Sequence, residues 1–142
     1  MNIWTKKSFT IMEIMVVIVI IGAVAGFAIP NYVKTVERAH EQDATTQLSA
    51  IHSANNIYRA NNGRYWPLDT GTYPLNGATS INTSLGLSVI ANGMTYTCTG
   101  SAGGATYQCN AVRNAPAASF TVRVDQNPLG STNPDCVLGQ CP

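Results

Sequence analysis

One segment limits the fold more than any other. Lys6-Lys7-Ser8-Phe9-Thr10-Ile11-Met12-Glu13 runs straight into an uncharged apolar stretch, residues 14–29. Cationic loops resist translocation, so the two lysines mark a side that stays in the cytoplasm. The apolar stretch is 16 residues long, and residues 9–30 make 22. At about 1.5 Å per residue the longer span is roughly 33 Å, close to a bilayer core. A secretory signal has an apolar region of about 7–15 residues and ends in a small-x-small cleavage site. Ala23-Val24-Ala25 and Ala25-Gly26-Phe27 offer only weak versions of that site, so conventional signal cleavage is the poorer reading. Glu13 is a lone carboxylate inside hydrocarbon-compatible sequence. Even lenient insertion scales set its cost at about 2.5–3.5 kcal/mol, so it asks for a partner.

With 142 residues, the chain has room for one modest domain and one membrane segment. Only 11% of residues are charged, well under the roughly 25% of soluble domains. The formal net charge of +1 leaves no basic reservoir for phosphate binding, and no nucleic-acid partner is indicated. Removing residues 1–8 takes away Lys6 and Lys7, so eight basic residues become six against seven acidic ones, or −1 before the termini are counted. There is no Ser-His-Asp constellation, phosphate loop or carboxylate pair in a credible cleft, so the chain reads as a non-enzyme with no implied cofactor. Asn82-Thr83-Ser84 is a formal glycosylation sequon, a common chance match.

Beyond Pro30 the apolar pattern changes without stopping. Val33, Val36, His40, Ala44, Leu48, Ile51, Asn55 and Tyr58 recur every three or four residues, the mark of an amphipathic helix. Lys34, Glu37, Arg38, Glu41, Gln42 and Asp43 fall on the other face, with opposite charges at spacing three. Asn61-Asn62-Gly63 signals the end. Residues 9–60 thus read as one helix of about 78 Å, loosened or kinked where Pro30 removes a hydrogen bond. Residues 67–93 read as a connecting loop with a short helix or turn near 84–90. Strands are expected at 94–98 and 106–112 around a Gly-rich turn, and at 120–124. A cysteine-stapled tail comes last, at 134–142.

Cys98, Cys109, Cys136 and Cys141 all lie beyond the membrane segment from the lysines, and three pairings are open to them. A turn centred on Gly103-Gly104 sets Cys98 opposite Cys109, within disulfide reach. That favours 98–109 with 136–141. Spacings of eleven and five do not match the two-residue knuckles of zinc thiolate sites, so the cysteines point to an oxidising compartment.

The N-terminal pattern resembles that of bacterial type IV pilins and the related type II secretion pseudopilins. In that family a short basic leader precedes Phe-Thr-x-x-Glu, a long apolar helix and a proline. Phe9-Thr10-Ile11-Met12-Glu13, Gly22 and Pro30 fall at the family's spacings, and the match covers about residues 6–60. Asn62-Gly63-Arg64-Tyr65 is also similar to the segment just after the helix in many members. The resemblance implies an α+β pilin ladle fold: a long N-terminal helix packed on a small antiparallel sheet of three or four strands. It divides the chain into a leader (1–8), a transmembrane and assembly half-helix (9–30), an amphipathic half-helix (31–62) and a globular part (63–142). It implies cleavage between Ser8 and Phe9 by a prepilin peptidase, with Phe9 then N-methylated. Ser8 stands where the family most often has Gly, a departure that bears on the rate of processing. It further implies a single-pass precursor in the inner membrane and a helical homo-oligomer built with assembly machinery. In the filament, Glu13 pairs with a neighbour's amino terminus, and the stretch from Gly22 to Pro30 is extensible. The expected function is a subunit of an extracellular type IV pilus. The alternatives are a type II secretion pseudopilin or an uncleaved membrane-anchored periplasmic module. Many pseudopilins bind calcium near the C-terminus through acidic loops, whereas Asp125 and Asp135 alone are sparse for a hard cation.

Overall fold

The computed structural model describes residues 10–115, 118–130 and 133–139. The expected cleavage junction at Ser8 and Phe9, and Cys141, lie outside these residues. The chain folds as two units, the first ending at Thr35 and the second beginning at Val36.

Helix α1 (Ile11–Asn62) begins with reciprocal caps. The Thr10 N–H and hydroxyl donate to Glu13 Oε2 (3.0 and 3.1 Å), and the Glu13 N–H donates back to Thr10 Oγ1 at 3.2 Å. This is a capping box, which satisfies first-turn amides that would otherwise lack partners. The helix stays α-helical through Gly22, Gly26 and Pro30. It ends where Gly63 turns into the left-handed region (φ +76°) and donates its N–H to Arg59 O at 2.8 Å.

In the second unit, five antiparallel strands form a meander: β1 (Thr72–Pro74), β2 (Thr95–Gly100), β3 (Tyr107–Ala115), β4 (Ala118–Asp125) and β5 (Asp135–Gly139). This exceeds the three or four strands expected. The additions are edge strands: β1 is three residues long, and β5 pairs with β4 after a register shift at Thr121/Val122. The short helix α2 (Ile81–Leu85) lies upstream of the expected 84–90, because Ser80 caps its start and Gly86 (φ +66°) ends it.

Alternation along the strands puts Tyr96, Cys98, Tyr107, Cys109, Ala111, Phe120, Val122 and Val124 on one buried face. Ala44, Leu48 and Ile51 of α1 complete the core with them. Cys98 sits opposite Cys109 in the β2–β3 register and is bonded to it. Cys136 is also disulfide-bonded.

Candidate assembly surface

Among the described residues the first unit has no buried side chain. Between Glu13 and Lys34 there is no charged residue, and Ile14, Val17, Ile18, Ile21, Val24 and Phe27 are all exposed. A helix that is apolar on every side belongs in lipid or among other helices. This one is long and apolar enough to cross a membrane. Glu13 is the charge at the start of the apolar run, and both bonds from Thr10 end on Oε2. Among the described residues Oε1 makes no hydrogen bond, so half of the carboxylate is open to a partner outside the helix. Thr10 was not among the residues expected to matter, although Thr-x-x-Glu before an apolar run is a recognisable sequence signal. A Cβ at Gly22 or Gly26 would meet nothing within 4 Å. Packing within the chain therefore does not demand glycine at either position.

The second unit grips α1 through polar contacts set into the apolar stripe. Position 113 is on the core face of β3, two residues beyond Ala111, so Arg113 reaches towards α1. Its Nε and Nη2 donate to Glu37 Oε2 and Oε1 (3.1 Å each), and Nη1 donates to Gly93 O at 2.8 Å. This corrects the placing of Glu37 on the solvent face: it is buried. Its carboxyl is held below the usual range, first by the Arg113 hydrogen bonds, with burial opposing and the nearby Arg113 charge assisting. Asn55 brackets Trp66, accepting its N–H at 2.9 Å and donating to its carbonyl. His52 Nδ1 faces Asp125 O at 2.9 Å and the Tyr107 hydroxyl at 2.7 Å. The Asp125 carbonyl can only accept, whereas the Tyr107 hydroxyl can accept from this nitrogen or donate to it.

The segment after the helix docks on the β2–β3 turn by backbone bonds, Tyr65 N–H to Gly104 O (2.8 Å) and Gly103 N–H to Leu68 O (2.9 Å). Asn82 of the formal sequon brackets Val89 (3.0 Å to N, 2.9 Å to O) and also donates to Asn76 Oδ1. Both of its amide protons are therefore engaged in the fold.

The calcium that the resemblance implies needs six to eight converging oxygens. At the β4–β5 connection the Asp125 carboxylate instead accepts the backbone and side-chain amides of Asn127 (2.8 and 3.1 Å). The Asp125 and Asn127 carbonyls accept from Asn133 Nδ2. Asp135 pairs in register with Arg123 on the neighbouring strand. The described residues therefore do not fit a hard-cation site.

No family model matches the chain, and no solved structure matches it. Curated relatives do. The type II secretion system core protein G of Vibrio cholerae is 40% identical over 66 residues, 46% of this chain and 45% of that protein. The core protein G of Escherichia coli is 40% identical over 60 residues, 42% of this chain and 41% of that protein. The type IV major pilin protein PilA of Myxococcus xanthus is 37% identical over 60 residues, 42% of this chain and 27% of that protein. The chain thus spans about half the length, or less, of the curated relatives it matches. With the capped apolar helix, Glu13 at its start and a helix-on-sheet fold already in place, the chain is similar, over the matched segments, to type II secretion pseudopilins and a type IV pilin.

Proposed function

We propose that this chain is a filament subunit of the pseudopilin kind, working in protein export. The observation that carries this reading is the first-unit helix, apolar on every side, with its large apolar side chains exposed from Ile14 to Val33 and Glu13 as the charge at its start. The same surface serves twice: in lipid before assembly, and against neighbouring helices afterwards. Cleavage between Ser8 and Phe9 frees a cationic amino group at the membrane edge. A neighbour's Glu13 can pair with it at one axial offset only, which makes the pair a register device. The capping box keeps Glu13 oriented in the single chain while leaving Oε1 for that partner. The run from Gly22 to Pro30, free of packing demands within the chain, is where the assembled helix can loosen. The role is structural, with no catalytic step.

The names of the Vibrio and Escherichia relatives support the secretion reading over the type IV pilus first expected. The Myxococcus relative supports the pilus as the second reading. Deleting the gene and assaying both culture supernatants and sheared surface material separates them. The secretion reading predicts exoproteins trapped in the periplasm, rescued by the wild type and not by Glu13→Ala. Unchanged secretion with lost surface filaments would favour the pilus. In either background Glu13→Ala should insert in the membrane and fail to polymerise; a normal filament yield would sink the register argument.

A further inference from the structure

The connection between β4 and β5 is closed by one side chain. Asn133 is buried, and both ends of its carboxamide are used. Oδ1 accepts the Asp125 N–H at 3.1 Å, and Nδ2 donates to the Asp125 and Asn127 carbonyl oxygens. Its backbone is tied to Gly130 at 2.9 and 3.4 Å. The same Asp125 carbonyl meets the His52 ring of α1, so this closure also connects the loop to the helix. Two carbonyls thus converge on a single electropositive NH₂ group, with the Asp125 carboxylate in the same turn. Oxygens gathered around one positive centre are how a loop wraps a hard cation. An amide NH₂ offers two protons in fixed directions and satisfies two carbonyls without further ligands.

We propose that the Asn133 carboxamide stands where a divalent cation would otherwise close this loop, so that the second unit holds its β4–β5 connection without calcium. Asn133→Asp removes the NH₂ and turns a carboxylate onto two carbonyls. Three oxygen groups then meet where the NH₂ donor stood, with the Asp125 N–H still donating to one of them, and water can complete such a set around calcium. Loops of this kind in extracellular modules bind calcium with dissociation constants of about 10⁻⁴–10⁻³ M, so about 5 mM calcium comes close to filling such a site.

The test is thermal unfolding of the full chain in detergent, followed by tryptophan emission, in about 5 mM CaCl₂ and in excess EGTA. The wild type should melt at the same temperature in both. Asn133→Asp should melt about 5 °C lower in EGTA and recover most of that in calcium. Asn133→Ala should be lowered equally in both. Folding of Asn133→Asp in calcium alone would support the proposal in its strongest form. A wild-type melting temperature that rises with calcium would overturn it. So would an Asn133→Asp variant that is undisturbed in EGTA, unrescued by calcium or unfolded in both.

Discussion

Arg113→Met isolates the contact that fastens the sheet to the start of the packed helix. The substitution keeps much of the aliphatic stem and deletes the guanidinium. Lost with it are the fork to Glu37 and the bond to Gly93 O. Glu37 then sits buried with no counter-charge. Breaking one side of a buried pair costs about 3–5 kcal/mol. The side chains are 16% (Arg113) and 8% (Glu37) exposed, so some water reaches the site and the lower end, about 3 kcal/mol, is the better figure. For a unit of this size that corresponds to a fall of roughly 12–20 °C in Tm. Glu37→Gln keeps an acceptor and leaves Arg113 its water contact, so about 1–2 kcal/mol is expected. Joining Glu37→Met to Arg113→Met removes the stranded charge and should recover most of the single-variant loss. Urea unfolding of the detergent-solubilised chain completes the double-mutant cycle, with a coupling of about 2 kcal/mol. The depressed Glu37 pKa sets the pH dependence. The pair's contribution is fully present above the unfolded value of about 4.3 and is lost as pH falls through the lower folded value. Acid should therefore narrow the gap between the wild type and the double variant. A loss under about 1 kcal/mol for Arg113→Met, or a double variant no better than it, would refute the reasoning.

The second unit yields three further expected outcomes. The Tyr96 hydroxyl is buried without a hydrogen-bond partner among the described residues, and burial, then the Asp43 charge, pushes its pKa up to about 12. Tyr96→Phe should be neutral or stabilise by up to about 1 kcal/mol in urea unfolding. Gly104→Ala sets a Cβ against the Tyr65 carbonyl at φ +67° and should destabilise by more than about 1 kcal/mol, the usual scale for strain at a left-handed position. Cys98 and Cys109 are buried in the core, so thiol trapping should find them oxidised after mild reductant and reduced only once urea is added.

The parts of the fold legible in the sequence were those set by local repetition. Ala44, Leu48 and Ile51 announced themselves by spacing, and Asn62-Gly63 by its turn chemistry. The symmetric Gly103-Gly104 turn placed Cys98 against Cys109, and the register has them there. Strand β1 was hidden because Thr72-Tyr73-Pro74 is short, holds a proline and sits among turn residues. It forms only because the edge of β2 is there to pair with. Glu37 misled because charge and spacing matched the solvent face, while its partner lies 76 residues away. Asn55 falls in the predicted stripe as if apolar, and His52, outside that stripe, joins the packed face beside Ile51. They belong there because Asp125 O, Tyr107 and Trp66 meet their polar atoms, which periodicity cannot reveal. On the first-unit helix, composition shows the apolar surface and Glu13, whereas the Thr10 cap is legible only from the Thr-x-x-Glu spacing.

The most direct test of the filament reading is the intact mass and N-terminal sequence of the chain recovered from purified filaments. A subunit that begins at Phe9, carries one added methyl and lacks four hydrogens would establish processing, assembly and two disulfides together. A chain that begins at Met1 and occurs only in the membrane fraction would contradict the filament reading and leave an anchored periplasmic module.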